Sequence, residues 1–396
     1  MFVGFNLAFF PMHIAGLGGM PRRVYTYPEG LGWTLWNALS TLGAFVYAAG
    51  DALSLAGFAR AVLRDPREPG NPWNAASLEW LPQHNHGMRS IPQIDSRVPL
   101  WDHPALAREV LQGSHWLPGT VFGGRETLVT SPIRGDIRHL IRLPGDGWMH
   151  LVAATGTAGF FLLLTVSWIV PAFACGVLAI AAIVAWLWEL DRPPPAMTAS
   201  IGDGVSVPTV AAGRASHSWW AMVLVMAVSA TVFASLAFSH LHVSMKLDVC
   251  PPPGAQVPGY GWPSAALFVA GSLLMGWAVR RLPAPRQGLL QLAVLLAMAC
   301  ATGAWALDFA AHLQAGLAPT HHAWGATVAA LLGWQGLHAF VLLLMGGYVV
   351  ARSLAGALRP DARATLDNTA LMWHYTTAQG LAGMALVRML PQWMGG

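Results

Sequence analysis

Two adjacent arginines, Arg22 and Arg23, are the residues of this sequence whose types and spacing point most directly to binding chemistry. Guanidinium groups hold carboxylates or phosphates through paired N–H···O hydrogen bonds. Pro21 and Pro28 flank the pair and restrict the backbone of a loop. The residue types therefore predict an anion at this loop. On physical grounds alone, contact with lipid headgroups is the simpler interpretation.

Ionisable residues inside apolar segments form a second group of candidates, because polar groups in hydrocarbon are costly. Asp51 follows Tyr47 by one helical turn, which favours a structural hydrogen bond of Asp51 with Tyr47 or with the backbone over a proton relay. Asp308 and His312 are also four residues apart, near the end of an apolar segment. We expect both to be solvated.

Histidine and cysteine spacing gives no metal site. His240 and His242 point in different directions on a helix, and His321 and His322 are adjacent in a loop. His13 is expected to face the bundle and to be hydrogen-bonded. His338 and His374 are expected to satisfy backbone or lipid groups between helices. The cysteines are far apart and outside any CxxC spacing, so we predict packing roles for Cys175, Cys250 and Cys300.

The composition indicates that the chain folds in a lipid bilayer. Of the 396 residues, 55% are apolar and 10% are charged, whereas a soluble domain carries about 25% charged residues. Apolar runs of membrane-spanning length exclude a disordered chain and argue against a nucleic-acid-binding protein, since the net charge is only +4. The fold class predicted is all-α, a polytopic membrane helix bundle.

Nine apolar segments approach the length of a membrane helix. They are 2–18, 33–60, 149–168, 171–189, 218–241, 263–280, 287–311, 325–351 and 368–388. The polar stretch 61–148 lacks helical periodicity and is predicted to be an extended tail or linker. A second linker, 190–217, is predicted to be flexible. If the first segment leaves the cytoplasm, 18 of the 22 Lys and Arg residues are cytoplasmic. The N-terminus is then inside, the C-terminus outside, and the Arg22-Arg23 pair on the outer face.

The region around the arginine pair resembles subunit I of the heme–copper cytochrome c oxidases. The run FFPMHIAGLGGMPRR (9–23), then TYP (26–28) and WNALSTLG (36–43), is similar to that family's eleventh and twelfth helices. The resemblance implies that Arg22 and Arg23 hold the heme propionates on the outer side. Thr26 stands where the family usually has Asp.

Later stretches resemble the rest of a fused subunit I–III polypeptide. Motifs at 71–73, 78–80 and 96–101 are similar to the cytoplasmic extension of subunit I, and 125–131 to the joint of the fusion. The seven segments from 149 onward are the number expected of subunit III. Three motifs of this chain resemble signatures of that subunit: WQGLH (334–338), WHY (373–375) and PPPG (251–254). Two intramembrane carboxylates of that subunit are missing: FASLA (233–237) stands where one Glu is usual, and Thr377 where an Asp is usual.

The resemblance implies three domains: the end of a subunit I-like helical domain at 1–60, a cytoplasmic tail and linker at 61–148, and a subunit III-like seven-helix domain at 149–396. Nothing in the sequence corresponds to the histidines that ligate heme and copper. We therefore expect those cofactors to be ligated by another polypeptide of the complex, with none in the isolated chain and no activity of the chain alone. The implied partners are the remaining part of subunit I, subunit II, membrane lipid and, indirectly, cytochrome c, and no nucleic acid is expected. The implied location is the bacterial cell membrane.

The leading hypothesis is a membrane component of a proton-pumping cytochrome c oxidase that contributes the propionate clamp and structural support. The alternative is a non-catalytic scaffold or assembly module of the oxidase complex, which the two missing carboxylates favour. A transporter is a weaker third hypothesis, because broken helices with convergent polar sites are hard to find.

Overall fold

The computed structural model describes residues 1–64, 71–81, 92–115, 126–143, 147–192, 196–202, 204–211, 216–259, 261–284 and 287–393. In these ranges, the long helices are α1 (Phe2–Leu17), α2 (Thr34–Arg64), α5 (Met149–Thr165), α6 (Ile169–Leu190), α7 (His217–Met245), α8 (Trp262–Arg281), α9 (Gly288–Gln314), α10 (Ala323–Leu354) and α11 (Ala364–Trp393). Each one coincides with a predicted apolar segment. Shorter helices are α3 (Pro99–Asp102), α4 (Leu106–Gln112) and a 3-10 turn at Leu78–Trp80.

The predicted membrane bundle is confirmed by the length and composition of these helices. Six of them are long and apolar enough to cross a membrane: α2 over Thr34–Ala61, and α6, α7, α8, α9 and α10. Two further apolar helices, α1 and α5, are shorter.

The chain divides into two compact units. The first comprises residues 1–83 and 94–107, and the second comprises 84–93 and 108–396. In the first unit α1 packs along α2 through glycines. A Cβ atom on Gly43 would lie 2.2 Å from the Ala8 nitrogen, and one on Gly4 would lie 2.4 Å from the Tyr47 nitrogen. Glycine at these positions therefore lets the two backbones touch.

The second unit contains a helical hairpin of α5 and α6 and a bundle of α7 to α11. The bundle has one core around Trp373, Met275 and Leu342, all nearly inaccessible to solvent. A second core surrounds Trp324 and Val328. Helices α10 and α11 contact each other, and both also contact α7. They position the polar residues described below.

Both linkers contain structure that the sequence did not predict. Antiparallel hairpins form from β1 (Glu126–Thr130) with β2 (Ile137–Arg142), and from β3 (Thr198–Gly202) with β4 (Val205–Pro208). Leu140, Ala199 and Val207 form a small core where β2 meets β4. The predictions of an extended tail and a flexible linker are wrong for these segments, because each hairpin buries apolar side chains that the other covers. The remainder of 61–148 includes stretches outside the described residues.

The cysteine prediction is confirmed. Cys175, Cys250 and Cys300 are all free and half-buried. The Sγ atom of Cys175 packs over Gly159, and Cys250 contributes to the core around Trp324.

Candidate functional site

The Arg22-Arg23 pair lies in the loop that joins α1 to α2, and both side chains are exposed. Arg23 has a left-handed backbone conformation with φ of 63°. Among the described residues, neither guanidinium has a hydrogen-bond or ion-pair partner. Two adjacent unpaired guanidiniums offer a large set of N–H donors to an anion from outside the unit.

The loop is held in place by contacts with the start of α2. The indole nitrogen of Trp33 donates to the Gly18 carbonyl oxygen at 2.8 Å, and the ring of Trp33 packs edge-on against Tyr27. The Asn37 amide donates to the Tyr27 hydroxyl at 3.0 Å. These contacts fix the two ends of the loop while its arginines stay exposed. The donor chemistry thus fits a carboxylate-bearing group such as a heme, whose propionates are acidic.

Asp51 does not make the predicted hydrogen bond. Its carboxylate is half-buried and has no hydrogen-bond or ion-pair partner among the described residues. The ring of Tyr47 instead packs toward α1, with its centroid 6.3 Å from that of Phe5. The prediction was wrong because the close contact of α1 with α2 draws the Tyr47 ring to that helix. His13 makes the expected hydrogen bond, through Nδ1 to the Phe9 carbonyl oxygen at 3.0 Å. Its side chain is exposed, so the prediction that it faces the bundle is wrong.

The prediction that Asp308 and His312 are solvated is also wrong. Asp308 is 5% exposed and His312 is 3% exposed, because Arg388 of α11 reaches across the bundle. The Arg388 guanidinium donates to Asp308 Oδ1 and, at 3.3 Å, to the Pro258 carbonyl oxygen. His312 Nδ1 lies 2.8 Å from the Asp308 carbonyl oxygen. A buried carboxylate requires such a partner, and the pair clamps α9 to α11.

A second buried group, here called the polar chain, crosses the middle of the bundle. Its members are His338, Ser229, Tyr375, Gln379 and Gln335, and it begins at the carbonyl oxygen of Trp334 and ends at that of Thr376. His338 was expected to satisfy a backbone or lipid group between helices, and the other members were not predicted. A signal was present, because Gln335 and His338 on α10, and Tyr375 and Gln379 on α11, are spaced to share a helix face.

Three further histidines bond between helices or cap a helix. His374 Nδ1 lies 2.6 Å from the Ser272 hydroxyl, and His240 Nδ1 lies 2.9 Å from the Thr327 hydroxyl. His322 accepts a hydrogen bond from the Gly325 amide and so caps α10. Within the ranges that the structure covers, no group of three or more His, Cys, Asp or Glu side chains could hold a metal ion.

A groove and an adjoining polar pocket lie beside α6. The groove, with a volume of about 530 Å³, is bounded by α6, α7, α10 and α11 and is largely apolar. The pocket, with a volume of about 390 Å³, shares Asp191 and Thr365 with the groove. Its cationic and imidazole lining consists of His139, Arg142, Arg192, His217 and Arg352.

Asp191 organises the boundary between the groove and the pocket. The Arg352 guanidinium donates to the Asp191 carbonyl oxygen at 2.7 Å, and the Tyr348 hydroxyl donates to its carboxylate at 3.1 Å. In the pocket, burial lowers the pKa of His139 from its ordinary value, and His217 and Arg138 lower it further. His139 is therefore disfavoured as a cation. Because the Arg352 guanidinium also lies 3.5 Å from the Asp191 carboxylate, Arg142 and Arg192 are the cations left to attract anions there.

The fold defines the class: a multi-pass helical membrane protein. Residues 1–46, which include the arginine pair, match the family model described as Cytochrome C and Quinol oxidase polypeptide I. The similarity supports a membrane component of a respiratory oxidase.

Curated relatives extend this similarity. The chain is 32% identical over 183 residues to "Probable quinol oxidase subunit 1" of Staphylococcus epidermidis, which covers 44% of the chain and 24% of the relative. It is 30% identical over 182 residues to "Cytochrome c oxidase subunit 1" of Bacillus sp. strain PS3, covering 45% and 27%. The protein of that name in Bacillus subtilis is 38% identical over 104 residues, covering 25% and 17%. The chain thus spans about a quarter or less of the length of these relatives, and the similarity continues beyond residue 46.

Proposed function

We propose that this chain is a component of a cytochrome c oxidase that passes electrons from cytochrome c to oxygen and pumps protons. One observation carries the proposal: the segment that matches oxidase subunit I presents two exposed arginines that no described side chain pairs with. In the assembled complex, Arg22 and Arg23 hold the heme propionates on the outer side of the membrane.

The arginines act on the cofactor through charge and position. A heme supplies one-electron redox chemistry, whose potential responds to the charges around it. Arg22 and Arg23 would hold the propionates in their carboxylate form through charge-assisted hydrogen bonds. The Trp33 and Asn37 contacts hold the two ends of the loop that carries them.

The heme and copper ligands belong to another polypeptide in this proposal. Its partners are the remaining part of subunit I, subunit II and, indirectly, cytochrome c. The chain lies in the bacterial cell membrane with its N-terminus inside and its C-terminus outside, as the distribution of arginines favours.

Residues 149–396 are proposed to form the subunit III-like domain that supports the redox core. Membrane lipid is the partner we assign to the groove beside α6. An apolar groove of about 530 Å³ suits an acyl chain, and the adjoining pocket with Arg142 and Arg192 suits an anionic headgroup.

Redox titration of the assembled complex tests the arginine role. We expect Arg22→Ala and Arg23→Ala each to lower the heme midpoint potential, because a cation near the cofactor stabilises the electron that it gains. Arg64→Ala is the matched control, since Arg64 lies at the far end of α2 and should leave the potential unchanged. If all variants assemble with full heme content and show the same midpoint potential, the assignment is contradicted.

The scaffold function remains the second candidate, and the missing carboxylates favour it. Leu236, which packs against the core around Trp324, stands where the family has Glu, and Thr377, which donates to the Phe268 carbonyl oxygen at 3.3 Å, stands where it has Asp. Neither position therefore carries a carboxylate. If the chain is a scaffold, the arginine variants should assemble less well but keep normal heme potentials. The same titration therefore distinguishes the two functions.

A further inference from the structure

A small cavity lies inside the bundle between the Asp308–Arg388 pair and the polar chain. Its volume is about 20 Å³, and roughly 10–15 Å³ is enough to hold one water molecule. The polar part of the lining consists of Asp308, His312, Gln335 and Gln379. Phe233 and Met384 are among the apolar residues that complete it.

One wall of the cavity presents an acceptor without a donor. The Asp308 carbonyl oxygen can only accept, so His312 Nδ1, which lies 2.8 Å from it, carries the ring proton. In the neutral ring, Nε2 is then an acceptor. This atom is buried and has no hydrogen-bond partner among the described residues. Leaving such a group unsatisfied costs about 1–3 kcal/mol.

The polar chain, two of whose members line the cavity, lacks one proton for its own hydrogen bonds. The polar chain has six contacts and ends on two carbonyl oxygens, neither of which can donate. When His338 is neutral, each of the five side chains of the polar chain can place one proton in one of these contacts. Six contacts therefore share five protons, and one contact lacks a proton.

The amide orientations of Gln335 and Gln379 decide where that shortage lies. If both amides are turned over, the contact that lacks a proton is the one between Gln335 and the Thr376 carbonyl oxygen. This contact is the longest of the six, at 3.3 Å. The Gln335 oxygen then needs a donor, and Gln335 lines the cavity.

We infer that one water molecule occupies this cavity and donates its two protons to His312 Nε2 and to the Gln335 amide oxygen. A cation is disfavoured, because Arg388 already neutralises Asp308. An apolar occupant would leave both acceptors without donors. The water joins the ion pair and the polar chain into one hydrogen-bonded network that links α7, α9, α10 and α11.

Hydroxyl-radical footprinting by X-ray radiolysis tests the inference on the full chain in lipid nanodiscs. Radicals formed from a bound water modify the side chains next to it, and Met384 lines the cavity although it is only 9% exposed. Met275, which is fully buried away from the cavity, is the internal control. We expect Met384 to be modified several-fold faster than Met275. Equal rates would overturn the inference.

A pair of glycine variants separates the bound water from bulk solvent. A Cβ atom on Gly383 would lie 3.6 Å from the Phe233 ring, so Gly383→Ala fits and fills part of the cavity. Gly347→Ala meets no atom within 4 Å and is the control. We expect modification of Met384 to fall toward the Met275 rate in Gly383→Ala and to stay fast in Gly347→Ala. Fast modification of Met384 in Gly383→Ala would mean that bulk solvent reaches it, which also overturns the inference.

Discussion

At the scale of single residues, the burial of Asp308 depends on one guanidinium. Arg388 is 3% exposed and its remaining contact is with a loop carbonyl, that of Pro258. Removing one member of a buried ion pair leaves the other charge without compensation, whereas replacing both by apolar groups is often tolerated. The pair therefore makes α9 and α11 mutually dependent.

Removal of the Arg388 charge should destabilise the bundle strongly. Arg388→Met is expected to lower the free energy of unfolding by about 3–5 kcal/mol, because the Asp308 carboxylate is then buried without its guanidinium partner. The double variant Asp308→Leu with Arg388→Met should recover most of that loss. Thermal unfolding of the purified chain in detergent measures both, and a double variant as unstable as the single one would refute the ion-pair explanation.

At this scale the sequence related residues of one helix to each other but did not identify their partners on other helices, as Asp308 shows. Spacing related Asp308 to His312, four residues away on the same helix, and the bonding of His338 was expected. Arg388 is 80 residues from Asp308, and only the packing of α11 against the bundle brings them together. Partners on different helices were therefore missed, as was the link from Ser229 to Tyr375.

At the scale of elements, apolar runs predicted every long helix to within a few residues, because membrane length imposes a strong pattern. The hairpins β1–β2 and β3–β4 were not predicted. Their strands have four to six residues, and their small shared core depends on the pairing of two segments that are distant in sequence.

The contact of α1 with α2 rests on glycine and offers a matched test. Gly43→Ala should separate the two helices, because its Cβ atom would lie 2.2 Å from the Ala8 nitrogen, which is backbone and cannot move aside. Gly57→Ala on the same helix meets no atom within 4 Å and should be neutral. A cysteine pair placed across the α1–α2 contact should crosslink in Gly57→Ala and poorly in Gly43→Ala. Equal crosslinking would show that glycine is not required.

At the scale of the whole molecule, the chain has two units with different relations to the proposed complex. The unit containing α1 and α2 includes the segment that matches oxidase subunit I, and it leaves most of its apolar surface exposed. The bundle of α7 to α11 has its own buried core and internal polar network. Such a division fits a chain that completes a redox core with its first unit and supports it with its second.

Purification of the tagged chain from its native membranes tests whether it is part of an oxidase complex. We expect it to carry heme and copper together with a second polypeptide that bears their ligands, and to show the reduced-minus-oxidised spectrum of an oxidase. The same chain produced in a host without that polypeptide should show no Soret band. A stoichiometric Soret band in the chain alone, or a native preparation with neither heme nor an oxidase polypeptide, would contradict the account.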